Sequence, residues 1–181
     1  MSEDDGRARH VIEIVARLRV ALGFACGVLV FWLATPTAAT LLAGLLVAAA
    51  GEGIRVWAAG HLNKSREVTR SGPYRFVAHP LYLGSSLIGA GLAIGSGNLL
   101  VALIVAGYLA ITLTAAIRSE EAFLRRIFAD EYDEYRHTGI VDTHRRFSLA
   151  RAIANREHRA VLGLALALLL MAWKATYNRA F

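Results

Sequence analysis

Long apolar runs separated by short polar connections constrain this chain more than any other feature of its sequence. A helix needs about 20 mostly apolar residues to cross a bilayer, whose hydrocarbon core is about 30 Å thick. Five runs approach this length, and the first and last are the shortest: residues 20–34, 37–60, 80–95, 99–117 and 160–173. The pattern predicts an all-α integral membrane bundle of about five transmembrane helices. The last run suits either a tilted span or an interfacial helix.

The composition supports this class of protein. The chain has 181 residues, of which 56% are hydrophobic and 19% are charged, and its mean hydropathy is +0.45. These values exclude an ordinary soluble domain, and we expect a single membrane domain over residues 1–181. The net charge of +6 would also suit a nucleic-acid partner. Arginines that flank apolar runs are better explained by the membrane surface, so no nucleic acid is expected.

Basic residues fall on one side of the predicted bundle. They cluster before the first run, between the second and third runs, and in residues 118–159, which contain nine arginines. The connections at residues 35–37 and 96–98 contain none. The positive-inside rule therefore makes the basic side cytoplasmic.

Two motifs stand at the ends of the hairpin that the third and fourth runs form. His79-Pro80 begins the third run, and Glu120-Glu121 follows the fourth, which ends near Ile117. The hairpin should bring both motifs to the cytoplasmic face, where one site can use them together. Ionisable groups at a membrane boundary are costly and are frequently functional. In the alternative interpretation, the histidine is a solvated loop residue and the glutamates are a solvated pair.

Residues 120–135 have the pattern of an amphipathic helix. On a helical wheel, an apolar stripe with glutamates at its ends lies opposite a charged face. Glu120, Leu124, Ile127 and Glu131 form the stripe, and Phe123, Phe128, Tyr132 and Tyr135 flank it. We therefore predict a cytoplasmic amphipathic helix that lies along the membrane surface and covers the site.

A polar pair lies deeper, within the second run. Glu52 and Arg55 are one helical turn apart, and such a pair either locks two helices together or acts on a substrate. Scattered histidines such as His61 are expected to be solvated. Small residues predict close helix packing in three helices: Gly23 and Gly27, Gly44 with Ala48 and Gly51, and Gly91 and Gly95.

Four blocks follow one another in a characteristic order: Gly72-Pro73-Tyr74-Arg75, His79-Pro80-x-Tyr82-x-Gly84, Glu120-Glu121 and Phe128-Ala129-Asp130-Glu131-Tyr132-x-x-Tyr135. This order resembles the isoprenylcysteine carboxyl methyltransferase family of membrane enzymes and, more loosely, the phospholipid methyltransferases. The resemblance covers about residues 52–139, and residues 160–173 would form a C-terminal helix outside it. Two departures stand out: Ala78 replaces the usual arginine, and Ile140-Val141-Asp142 replaces a Pro-Arg-containing ending.

The resemblance implies S-adenosylmethionine as the methyl donor. By the same likeness, five positions match the cofactor pocket of the family: His79, Tyr82, Leu83, Glu120 and Glu121. Pro80 is a further candidate, because the helix that begins there can receive the carboxylate of the donor. No metal-ligand spacing is present, and no metal is expected.

The acceptor is expected to be lipid-like or prenyl-like, with carboxyl O-methylation as one form of the reaction. A carboxylate acceptor needs only an orienting cation, for which Arg118 is a catalytic candidate and Arg55 and Arg75 are substrate-binding candidates. An amine acceptor needs a base, and Glu121 is the candidate.

Other functions also fit the sequence. They are a phospholipid N-methyltransferase, a relative of the membrane sterol reductases that uses NADPH, and a non-enzymatic membrane scaffold. Cofactor binding separates the reductase from the methyltransferases. The alanine at position 78, where the family usually has arginine, is compatible with a non-enzymatic scaffold.

Overall fold

The regular secondary structure of the described residues is entirely helical. The computed structural model describes residues 21–64, 66–138, 142 and 144–180, and no strand occurs among them. The elements are α1 (Ala21–Leu33), α2 (Ala38–His61), a short 3₁₀ helix (Gly72–Arg75), α3 (Pro80–Ser96), α4 (Leu99–Thr138), α5 (Leu149–Ala154) and α6 (Glu157–Ala180). The predicted all-α class is confirmed for this part of the chain.

Three helices are long and apolar enough to cross a membrane: Ala38–His61, Leu99–Phe128 and Glu157–Tyr177. The remaining two apolar helices, α1 and α3, are shorter than a span. The final apolar run reaches spanning length because its helix begins before residue 160 and continues beyond residue 173. Three of the five predicted spans therefore have the required length and composition.

The helix α4 is one continuous element of 40 residues, or about 60 Å at the usual rise per residue. The sequence predicts a membrane helix that ends near Ile117 and a separate surface helix from Glu120. That expected break is wrong. Hydropathy changes at Arg118, but no glycine or proline occurs between residues 108 and 138, so the backbone has no reason to leave the helix.

Glycines bring α2 and α3 into backbone contact. A Cβ added at Gly51 would lie 2.6 Å from the Gly84 carbonyl oxygen, and one added at Gly91 would lie 2.5 Å from the Ala48 nitrogen. The predicted close packing is confirmed for this pair of helices. Around Gly27 of α1, by contrast, no atom of the described structure lies within 4 Å of an added Cβ.

Polar side chains close one end of the bundle, where α1 ends and α4 begins. Asn98 Nδ2 donates to the Leu33 carbonyl over 2.9 Å. Lys174 Nζ donates to the carbonyls of Phe31 and Trp32 over 2.6 and 2.7 Å. The last carbonyls of a helix have no intrahelical partner, so these bonds satisfy them and hold α1 against α4 and α6.

At the other end, which we call the basic end, the segment before α6 is anchored on α2. Arg151 Nε donates to the Gly60 carbonyl over 2.8 Å. Asn155 Nδ2 donates to the carbonyls of Ala59 and Leu62, both over 2.9 Å. The terminal carbonyls of α2 thus find partners about 90 residues further along the chain.

Gly51→Ala should lower the free energy of unfolding by about 1–3 kcal/mol, because the added methyl group must displace the backbone of α3. Gly53→Ala is the matched control, since an added Cβ there meets no atom within 4 Å and alanine favours a helix. Thermal unfolding of both variants in the same detergent gives the comparison. Equal midpoints for the two variants would contradict the contact.

Candidate functional site

His79 precedes the first turn of α3 and faces two glutamates of α4. Its Nε2 shares a hydrogen bond with Glu121 Oε1 over 3.1 Å, and its Nδ1 lies 3.9 Å from Glu120 Oε2. The Glu120 side chain is 41% exposed, whereas the other two are 15% and 21% exposed. The predicted proximity of the two motifs at one end of the hairpin is therefore confirmed.

A cavity of about 670 Å³ lies beside this contact. Its wall is formed by α3, α4 and the connection from α2 to α3. Polar groups lie near the histidine, and apolar groups such as Leu109 and Leu113 lie nearer the start of α4. Among the described residues, no three His, Cys, Asp or Glu side chains are grouped so that they could hold a metal ion. Four of the predicted site residues line the cavity: Arg55, His79, Tyr82 and Glu120.

Other predicted site residues lie outside the described wall of this cavity. Pro80 is fully buried at the start of α3. Arg118 is exposed, and Arg75 is exposed with its guanidinium 5.7 Å from the centre of the Phe76 ring. Glu121 meets the site through its bond to the histidine.

A second opening, a groove of about 310 Å³, lies between α3 and α4. Its wall is mostly apolar and includes the exposed side chain of Leu83. Tyr82 and His79 line both the groove and the cavity, and their ring centroids are 5.7 Å apart. These two side chains therefore stand where the openings meet.

Arg55 enters the cavity wall from α2. Its Nε donates to Glu157 Oε1 over 2.7 Å, and its Nη1 donates to Ser85 Oγ over 2.5 Å. The predicted partner, Glu52, lies further away, at 3.9 Å from the same Nε. Glu157 was not predicted as a partner, because no local sequence pattern joins residues 102 positions apart.

Aromatic residues of α4 form another part of the wall. Tyr135 Oη donates to the Tyr74 carbonyl over 2.6 Å, and Tyr132, only 2% exposed, packs beside Val68. Burial, followed by the nearby Glu120 carboxylate, raises the pKa of the Tyr74 phenol. The three-residue spacing of the two tyrosines, which flank the apolar stripe, was the available signal for this contact.

The segment before α5 supports the connection that walls the cavity. Arg145 forms an ion pair with Glu67, which lines the cavity, and it also donates to the His61 carbonyl over 3.3 Å. The Arg145 hydrogen bond lowers the pKa of Glu67, and the same bond raises the pKa of Arg145. The expectation that His61 is solvated is wrong: it is 5% exposed and shares a hydrogen bond with Ser71 Oγ over 3.1 Å.

The sequence model of the phospholipid methyltransferase family matches residues 18–131, which include the histidine, both glutamates and the apolar hairpin. The nickel-cobalt-cadmium resistance protein NccN of Alcaligenes xylosoxydans xylosoxydans is 35% identical over 101 residues, which are 55% of this chain and 47% of that protein. The chain thus matches about half the length of this relative. No solved structure matches the chain.

Arg145→Met should destabilise the protein by about 1 kcal/mol near neutral pH, because the pair with Glu67 is only partly exposed. A lowered glutamate pKa contributes stability above the ordinary value of 4.5, and this contribution is lost as the pH falls below that value. Arg146→Met is the matched control, since Arg146 is exposed. The difference in unfolding free energy between the variants should shrink from pH 6 towards acid, and a pH-independent difference would contradict the pair.

Proposed function

The chain belongs to the phospholipid methyltransferase family, and we propose that it transfers a methyl group from S-adenosylmethionine to a lipid-like acceptor. The observation that carries the proposal is the 3.1 Å contact of His79 with Glu121 beside a cavity of about 670 Å³. A family of membrane methyltransferases supplies the reaction class.

The residues of the cavity suit this donor. When bound, S-adenosylmethionine supplies a methyl group on a sulfonium, which is already a strong electrophile. Glu120 can accept hydrogen bonds from donor hydroxyl or amino groups, and the ring of Tyr82 can attract a cation. The N-terminus of α3 at Pro80 can receive a carboxylate. Leu83 adds an apolar side chain beside Tyr82 in the groove.

The charges around the cavity favour an amine acceptor over a carboxylate. A carboxylate would need an orienting cation, but Arg75 and Arg118 are exposed outside the described wall, and Arg55 is already hydrogen-bonded to Glu157. An amine needs a base instead. Glu121, paired with its histidine, can take a proton.

Each bond change in the amine reaction can be assigned. S-adenosylmethionine would supply the methyl carbon: its bond to sulfur would break as the lone pair of the unprotonated amine forms the new bond, and the donor would leave as a neutral thioether. The proton of the ammonium product passes to Glu121, which His79 holds in place. Alignment of the nucleophile with the methyl group and sulfur is the main contribution of the protein.

We further propose that the chain is a single domain that spans the membrane with about five helices, with the basic end in the cytoplasm. The short helices α1 and α3 would cross together with the longer ones, at a site of local thinning. The amphipathic half of α4, from Glu120 to Tyr135, continues the apolar half without a break and would cover the donor at the cytoplasmic end of the bundle. The acceptor would enter from the bilayer through the groove between α3 and α4.

Glu120→Ala/Glu121→Ala should lower the affinity for S-adenosylmethionine and its demethylated product at least about tenfold, because charge-assisted hydrogen bonds contribute about 1.5–3 kcal/mol each. Arg125→Ala/Arg126→Ala, an exposed pair on the same helix, is the control and should bind normally. Calorimetry with both ligands and with NADPH measures which cofactor the protein binds. Unchanged affinity in a folded glutamate variant would refute the site, and binding of NADPH alone would favour a reductase.

Longer acceptor chains should raise apparent affinity by about 0.8 kcal/mol per buried methylene until the groove is filled. The test uses acceptors that share one amine head group and differ in the length of the hydrocarbon chain. The protein is reconstituted in nanodiscs, and partition of each acceptor into empty nanodiscs is subtracted. Equal efficiency for short, water-soluble acceptors after this correction would rule out entry from the bilayer.

A further inference from the structure

Three charged side chains meet where α2, α3 and α6 come together. Arg55 is bonded to Glu157, the first residue of α6, and to Ser85 of α3. Glu52 lies one turn before Arg55 on α2, at 3.9 Å. Glu157 and Glu52 are 5% and 8% exposed, so both carboxylates are largely removed from water.

The cluster has no net positive charge, although the member that lines the cavity is an arginine. With all three groups ionised, two carboxylates and one guanidinium leave a net charge of −1. Neither oxygen of Glu52 accepts a hydrogen bond from the described residues, so its charge is poorly compensated locally. In a region of low dielectric, these charges act strongly on any charged group that comes near Arg55.

An anionic head group that approached Arg55 would compete with Glu157 for the guanidinium. It would also meet the charge of Glu52 within one turn of the same helix. A neutral or cationic head group avoids both costs. Specificity of this kind depends on an unfavourable term against the wrong ligand as well as on contacts with the right one.

We propose that Glu157 is a positioning residue that selects acceptors by the charge of their head group. It does so by neutralising Arg55, and Glu52 acts as a second, weaker countercharge. The inference rests on the proposed function for the identity of the cavity as the acceptor site. It assigns to the start of the last helix a role in selecting against anionic head groups. Removal of both carboxylates should turn the same guanidinium into an anion-binding group.

Dodecyl phosphate is the probe, and its binding to the full chain in uncharged nanodiscs is measured after subtraction of empty nanodiscs. Glu52→Gln/Glu157→Gln should bind dodecyl phosphate at least about tenfold more tightly than the unaltered chain. Adding Arg55→Gln to this variant should abolish the gain. Dodecyl trimethylammonium, measured in the same way, should bind the double variant less tightly than the unaltered chain.

An equal affinity of the double variant and the unaltered chain for dodecyl phosphate would overturn the proposal, as would a gain that survives Arg55→Gln. If the double variant does not fold, Glu157→Gln alone provides the test. It keeps Glu52 as a partner for Arg55 and should show a smaller gain that again requires the arginine. No gain in that folded variant would also overturn the proposal.

Binding of the demethylated product of S-adenosylmethionine is measured in the same samples. If the unaltered chain does not bind this product, the proposed donor is refuted. The comparison of dodecyl phosphate affinities still tests the role of Glu157. The failure of the proposed function and the failure of the role of Glu157 are therefore distinguishable.

Discussion

The backbone contact between α2 and α3 is the constraint on which the rest of the structure depends. Apolar side chains gain little by leaving lipid for protein, so helices in a bilayer associate through close packing. Gly51 and Gly84 bring the two backbones so close that neither position has room for a side chain. The contact fixes the depth of α2 against α3, and with it the level at which Arg55 meets Leu81 and Ser85.

The helix α4 is held in a different way, and the cavity results from the difference. The turn at Asn98 fixes its beginning, and the bond of His79 with Glu121 holds it where the apolar part gives way to the amphipathic part. Between these points, larger side chains such as Leu109 and Leu113 line open space. One tight helix pair and one looser pair therefore give a rigid wall and a volume beside it.

Much of this arrangement could be predicted from the sequence, because apolar runs determine membrane helices and small residues determine their contacts. The meeting of His79 with the glutamates followed from the hairpin alone. The continuity of α4 could not be predicted in this way, because hydropathy indicates where a membrane ends and says little about where a helix ends. The contact of Arg55 with Glu157 lay beyond prediction for another reason: it joins the second helix to the last, and neither residue has a local pattern that identifies the other.

The order in which the chain is synthesised gives the Arg55 cluster a consequence for biogenesis. Arg55 is translated 102 residues before Glu157, so α2 can reach the membrane before its strongest countercharge has been made. A lone arginine inside a membrane helix is costly for insertion. Glu52 lies on the same helix, within 4 Å in the finished protein, and can accompany the arginine through the translocon. Glu52, whose oxygens accept no hydrogen bond from the described residues, would then offset the charge of Arg55 until Glu157 has been made.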